Sequence, residues 1–326
     1  MIDTIYIEDE IKEHPRTKSI CKRFPSARII SCERYGEVFN RKVQNFRLQK
    51  LKPALILAKK FQHFALEAPE GYGIGAQKNF YFSHMLNCIY DCRYCFLQGM
   101  YRSAHYLLFV NFEDFAQSIS EISQQYAQQP VHFFSGYDCD SLALDQVTKF
   151  SDYFVPLFPK EQNAWLELRT KSVNIRPLLH MADYNCIAAF SFTPQIVSDQ
   201  VEAKVPSVEA RISAIEKLQE RGWHIGLRFD PLIYHNDYQK TYCELFQQVF
   251  SRVKNIHSVS LGQFRLPKTM FSNIHKLYPD EKLFAGPLSE KNGMVSYEKD
   301  LGKEMFDFCS AELLKYIDMK TFFPCE

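Results

Sequence analysis

Three cysteines, Cys88, Cys92 and Cys95, stand within one ten-residue stretch, NCIYDCRYCF (87–96). A C-x3-C-x2-C array commits the surrounding chain to a loop in which three sulfurs converge. The other cysteines, at 21, 32, 139, 186, 243, 309 and 325, are scattered, as lone buried thiols are. The N-terminal stretch MIDTIYIEDEIKEHPR is acidic and lacks the apolar block of a secretory leader. No apolar run approaches the roughly 20 residues that cross a bilayer. The expectation is a cytoplasmic protein with no membrane partner, in which clustered thiols serve metal or redox chemistry rather than disulfides.

The array sits in a sequence of alternating element types. Short apolar or aromatic runs predict strands at NFYFSHML (79–86), VHFFSG (131–136), WLELRT (165–170), CIAAFSF (186–192), HIGLRFD (224–230) and HSVSLGQ (257–263). Helical patterns lie between them. Phe115, Ile119, Ile122 and Tyr126 share one helix face, as do Val208, Ile212, Ile215 and Leu218, with Ser207 as N-cap and Gly222 as C-terminal stop. Residues 237–253 and 268–278 predict two more helices. Six strand–helix units in succession imply an α/β fold with a parallel sheet, too few for a closed eight-stranded barrel. The expectation is a partial (β/α)6 barrel of the TIM type, its functional groups at the C-terminal strand ends. Residues 1–78 then form an N-terminal cap, 79–284 the barrel, and 285–326 a C-terminal extension docked on it, with PEGYGIGAQ (69–77) marking the first boundary. With 39 basic against 38 acidic residues, net charge points to no nucleic acid or membrane, although a local basic groove stays open. The 28 Phe and 18 Tyr are first of all core material.

What holds three thiolates without a fourth? A structural zinc site normally takes four ligands, often as two C-x2-C pairs. Here only Cys92 and Cys95 make such a pair, and the fourth candidate, His84, falls inside the first predicted strand. A zinc-bearing nucleic-acid-binding module is the reading this leaves open. A [4Fe–4S] cluster is ordinarily held by four thiolates. Three leave one iron free to bind an outside molecule.

The spacing C-x3-C-x-aromatic-C after the first strand of a partial barrel resembles the radical SAM superfamily. The resemblance implies that the open iron chelates the amino and carboxylate groups of S-adenosylmethionine (SAM). Electron transfer then releases a 5′-deoxyadenosyl radical, which the protein must orient. It further implies that Cys88, Cys92 and Cys95 hold the cluster and that Tyr94 packs beside the adenine. Ser135 and Gly136, in SGYD (135–138), take the place of the superfamily's Gly-Gly-Glu stretch near the SAM amino group. Lys171 in RTKS is expected to pair with the SAM carboxylate, Ser191 in AFSFT to contact ribose or methionine, and Arg228 to end the fifth strand beside the cofactor.

Beyond the array, CRYCFLQGMYRSAHYLLFVNFEDF, RTKS, AFSFTP, GWHIGLRFDPLIYH, GQFRLPK and the terminal FFPCE follow one another as they do in the spore photoproduct lyase family, which this chain resembles over nearly its whole length. The implied activity is direct reversal of a thymine dimer in DNA, with the lesion turned out into the pocket. The implied partners are DNA containing a pyrimidine lesion and an electron donor such as flavodoxin or ferredoxin. Three departures bear on the product radical. Where the family carries a hydrogen-returning cysteine this chain has Tyr137, with Cys139 two residues on. After the third cluster cysteine it has Phe96 in place of tyrosine. In place of Arg-Tyr-Gly at the lesion it reads Lys291, Asn292, Gly293. Tyr137 and Cys139 are both candidate hydrogen donors. Arg265, Lys268 and Lys291 are the candidate DNA contacts. Asp138 and Asp140 would repel phosphate unless neutralised, and Asp140 is equally explained by a helix N-terminus. The same chemistry on another substrate, a modified nucleoside, RNA or a metabolite, is the second enzymatic reading.

Overall fold

Parallel strands form where apolar runs are short, rich in Phe, Ile and Leu, and separated by crossovers long enough to return the chain. Six such runs lie side by side, Lys78–Tyr81, Val131–Phe134, Ala164–Thr170, Cys186–Ser191, His224–Leu232 and Ile256–Gln263, in that spatial order. Phe322–Cys325 adds a further parallel strand at one edge, and Leu66–Glu67 an antiparallel one at the other. The eight-stranded sheet curls into a half-barrel. The computed structural model describes residues 2–160, 162–181 and 184–325.

Helices cover the outer face. Phe112–Gln125 buries Phe112, Phe115 and Ile119. Val208–Gln219 buries Val208, Ile212, Ile215 and Leu218 and is capped by Ser207, whose hydroxyl accepts from the Ala210 N–H at 3.2 Å. Tyr238–Arg252 and Lys268–Leu277 follow. The units are less regular than the alternation predicts. The second crossover is two short helices, Asp145–Thr148 and Phe150–Phe154, broken by Lys149 at φ 56°. The described part of the third holds only the 3-10 turn Leu178–His180. There Pro177 interrupts the chain, and polar groups bond locally instead: Ser172 N–H to the Thr170 hydroxyl (2.8 Å) and the Asn174 amide to the Ala143 carbonyl (3.0 Å).

The first predicted strand, 79–86, divides. It leaves the half-barrel after Tyr81, because Phe82 and His84 turn into the Phe150 and Phe154 rings, with His84 stacked on Phe150 at 3.9 Å. Met85–Leu86 then joins a second sheet, antiparallel to Tyr106–Phe109. That five-stranded sheet runs Arg28–Cys32, Thr4–Glu8, Leu55–Ala58, Tyr106–Phe109, Met85–Leu86. Chain from beyond residue 78 therefore completes the N-terminal sheet, and the cysteine loop is slung between the two sheets.

After the last long strand, Arg265–Pro267, Leu288–Lys291 and Met294–Tyr297 form a small antiparallel sheet. The helix Lys299–Leu313 packs Met305, Cys309 and Leu313 inward and touches Tyr238–Arg252. Among the described residues, no helix is long and apolar enough to cross a membrane.

Candidate active site

Side chains alternate across a strand, so inward residues of the half-barrel stack in levels, except that the register shift at His257–Ser258 turns both of these residues inward. At the floor, the rings of His132, Trp165, His224 and His257 meet at 5.1 to 6.4 Å. One level up, Glu167 receives Arg228 at 2.7 Å, and Ser258 accepts from the same guanidinium through its hydroxyl (2.9 Å) and carbonyl (3.1 Å). At the top, Arg169 reaches Asp230 at 3.3 Å and Glu167 at 3.3 Å, with its guanidinium 5.4 Å from the Tyr72 ring.

Above that level opens a cavity of about 280 Å³ at the C-terminal ends of the strands. Cys88, Cys92 and Cys95 all line it, facing Lys171, Ser191 and Gly136. The loop that carries them is held at each point. Asn87 takes φ 69°, a region Asn tolerates, and its amide donates to the carbonyls of Ser103 (2.8 Å) and His105 (2.7 Å). Asp91–Cys92 pairs antiparallel with Glu202–Ala203. The helix Leu97–Met100 follows, and Gly99 lets Lys268–Leu277 lie against it, since a Cβ there would stand 2.5 Å from the Met270 carbonyl oxygen.

Burial pushes up the pKa of all three thiols, that of Cys88 to about 12. A bare loop therefore holds protonated sulfurs, and a cationic metal centre would supply the charge that makes them thiolates. Among the described residues, no three His, Cys, Asp or Glu side chains converge tightly enough to hold one metal ion. A single zinc needs about 2.3 Å to every sulfur. His84 is no fourth ligand, because it is buried against Phe150 and held near pKa 3 by burial. The three thiols share one cavity.

The cavity wall is assembled by a carboxylate that has no signal in the sequence. Glu202, buried, accepts from the Tyr94 hydroxyl and from Ser198 (2.7 Å), and lies 3.7 Å from Lys171 and 3.6 Å from Arg211. Burial raises its pKa, but Lys171 and Arg211 outweigh that and hold it below the usual carboxylate value. Tyr94 and Lys171 thus reach the cavity as one unit, the ammonium 5.6 Å from the ring centre. Asp140 is likewise structural. It accepts from Thr170 (2.6 Å), Lys171 N–H (2.7 Å), Ala143 N–H (2.8 Å) and Leu142 N–H (3.0 Å), tying the second strand's end to the third's. Burial raises its pKa against those four bonds.

Two expected cofactor contacts lie elsewhere. Arg228 is fully buried one level below the cavity, in the middle of a strand that runs on to Leu232, and its guanidinium is consumed by Glu167 and Ser258. Arg169 lines the cavity in its stead. The Ser135 hydroxyl turns to Ser141 (2.8 Å) and the Glu167 carbonyl (2.9 Å) and does not line the cavity. Gly136 does line it. A Cβ at Gly136 would stand 2.9 Å from the Arg169 backbone oxygen, so close strand packing already demands this glycine. Ser191 lines the cavity while its carbonyl accepts from Arg211 at 2.6 Å.

Tyr137 and Cys139 both face the cavity. The Tyr137 ring lies 4.4 Å from Tyr81 and 5.7 Å from both Phe96 and Tyr72, in an aromatic wall. The Cys139 thiol points to the Ser135 carbonyl at 3.7 Å, and burial raises its pKa well above the usual thiol value. Of the basic candidates, Arg265 is exposed at the rim. Lys268 pairs with Glu290 at 2.7 Å, and Lys291 is exposed beside the turn at Asn292 and Gly293. Neither of these lysines lines the cavity.

A family model described as spore photoproduct lyase matches residues 1–300. A spore photoproduct lyase of Geobacillus sp. is 26% identical over 204 residues, 60% of this chain and 59% of that protein, so the match spans less than two thirds of that relative. One of Bacillus subtilis is 25% identical over 250 residues, 73% of this chain and 71% of that protein. Among solved structures, a spore photoproduct lyase mutant with bound AdoMet and dinucleoside spore photoproduct aligns with TM-score 0.85 at 18% identity, covering 100% of this chain and 98% of that one. A lyase complexed with dinucleoside spore photoproduct aligns with TM-score 0.82 over the same shares, also at 18% identity.

Proposed function

The chain belongs to the spore photoproduct lyase family, and from that premise we propose that it is a radical SAM enzyme that reverses spore photoproduct in DNA. The observation that carries this reading is the convergence of Cys88, Cys92 and Cys95 on one cavity with Lys171, Ser191 and the Cys139 thiol. Cys88, Cys92 and Cys95 would hold a [4Fe–4S] cluster. When bound, the cluster and SAM supply a 5′-deoxyadenosyl radical that takes one hydrogen atom from the lesion.

The chain's own residues do the rest. Lys171, leaning on Glu202, offers a cation for the SAM carboxylate, and Tyr94 offers an aromatic surface. Gly136 and Ser191 shape the wall between them. Once the methylene bridge between the thymines breaks, the thymine radical needs a hydrogen atom. Cys139 is suited to return it, because burial keeps its sulfur as S–H. The Tyr137 phenol, on the same wall, is the second candidate. The apolar wall of Phe96, Tyr137 and Tyr72 keeps water from a radical in transit. Arg265 at the rim and Lys291 on the hairpin are the proposed DNA contacts, and the electron donor is a flavodoxin- or ferredoxin-like protein. Lys268 would have to leave Glu290 to contribute.

The same chemistry on another substrate is favoured by one observation: Phe96 and the Lys291-Asn292-Gly293 turn depart from the lyase pattern where the lesion is handled. The test is iron and sulfide content together with SAM cleavage in anaerobically reconstituted protein, wild type against Cys88→Ala. Cleavage to 5′-deoxyadenosine by the wild type alone is expected. Full cleavage by the Cys88→Ala protein would overturn the assignment.

A further inference from the structure

The N-terminal region sends one charged side chain into the back of the cysteine loop. The short helix Phe46–Leu51 is capped by Asn45, whose side-chain oxygen accepts from the Leu48 N–H at 3.0 Å. Its inward face carries Phe46 and Lys50, both buried. The Lys50 ammonium donates to the carbonyls of Cys88 (3.3 Å) and Tyr90 (3.4 Å), the first turn of the array. Among the described residues, no carboxylate lies within ion-pair distance of it.

A buried ammonium without a counter-ion is expensive. Two carbonyls solvate it, but they do not cancel its charge. Those carbonyls belong to Cys88, the first thiol of the array, and to Tyr90 two residues on, so the charge stands directly behind the loop that would hold the cluster. A 2+ four-iron core on three thiolates carries a net charge of about −1, and about −2 once reduced; the potential of such a centre follows its charge and surroundings. A fixed cation behind the loop favours the more negative state.

We infer that Lys50 is a positioning residue whose buried charge is the counter-ion of the cluster, holding the Cys88–Tyr90 turn and making the cluster easier to reduce. The inference rests on the radical SAM reading of the site. Lys50 does not line the cavity. It therefore acts through the loop and not on SAM or the lesion.

The test is a redox titration of the anaerobically reconstituted full chain, followed by electron paramagnetic resonance in the absence of SAM and substrate. Iron and sulfide are counted in every sample. Wild type is compared with Lys50→Arg, which keeps the charge, and Lys50→Gln, which keeps a hydrogen-bond donor and removes the charge. The expected result is full cluster loading in all three and a wild-type midpoint in the Arg variant. In the Gln variant the ratio of reduced to oxidised cluster at fixed potential should fall about ten-fold, a shift of about 59 mV for one electron. A fully loaded Gln variant at the wild-type midpoint would overturn the inference, as would an Arg variant shifted as far as the Gln variant. If the Gln variant does not retain a cluster, the Arg variant decides: a wild-type midpoint supports the inference and a shifted one overturns it. A wild-type protein that takes up no iron and sulfide would instead overturn the radical SAM reading on which the inference stands.

Discussion

Arg228→Met separates a structural guanidinium from a cofactor-binding one. Arg228 is fully buried, donates to both Glu167 oxygens (2.7 and 3.3 Å), and reaches the hydroxyl and carbonyl of Ser258. Methionine fills much of the same volume but leaves Glu167 charged and buried. Breaking a buried pair from one side costs about 3–5 kcal/mol. Arg169 stays 3.3 Å from Glu167 and keeps part of its compensation, although Arg169 is shared with Asp230. The loss should therefore fall near the lower end, about 3 kcal/mol. Pairing the change with Glu167→Gln removes the orphaned charge and should recover more than half of it. The assay is denaturant unfolding in parallel with SAM affinity measured on the cluster-loaded protein. The expected result is a lower unfolding midpoint with SAM affinity unchanged within a factor of two. Unchanged stability with SAM affinity weakened ten-fold would refute the placement of Arg228 below the cavity.

Three further outcomes follow from the same geometry. His84 and His132 are buried and His257 is half-buried, with pKa values lowered by burial to about 3, 4 and 4. They are neutral in the fold and bind protons only when it opens, near pH 6.5. Stability should be complete above that pH and fall by about 4 kcal/mol per pH unit as pH drops towards 4, roughly 1.4 from each histidine; His84→Leu should flatten the slope of a denaturation series by about a third, and an unchanged slope would contradict His84's burial as a neutral ring. Gly99→Ala drives a methyl against the Met270 carbonyl and should destabilise by about 1–3 kcal/mol while lowering iron retention; full retention at wild-type stability would show that the two helices do not bear on each other. Cys139→Ala should leave SAM cleavage intact and suppress thymine release, whereas Tyr137→Phe keeps the aromatic wall and should suppress release less; the reverse ranking by product analysis would assign the hydrogen return to Tyr137.

Local signals carried the array, the helices and the six parallel strands. Cysteine spacing needs no knowledge of the rest of the fold, and Ser207 before an amphipathic run describes its own helix. What failed was height along the barrel. Arg228 and Asp230 point the same way because strands alternate, but which of them reaches the cavity depends on the register of neighbouring strands. Arg228 meets Glu167 below the cavity, and Asp230 meets Arg169 at its edge. No local pattern encodes that offset. Glu202 was invisible for a related reason, since its partners Tyr94, Lys171 and Arg211 come from three separate segments. The division of the first strand at Tyr81 hid in the same way, because residues 79–86 read as one apolar run whichever sheet they join.

The decisive measurement gives the anaerobically reconstituted protein dithionite, SAM and a dinucleoside spore photoproduct, and follows 5′-deoxyadenosine and thymine together. Both products are expected, with thymine appearing only when SAM is present. 5′-Deoxyadenosine without thymine would contradict the lyase assignment and leave a radical enzyme with another substrate. The absence of both from cluster-loaded protein would show that this site performs no radical SAM chemistry.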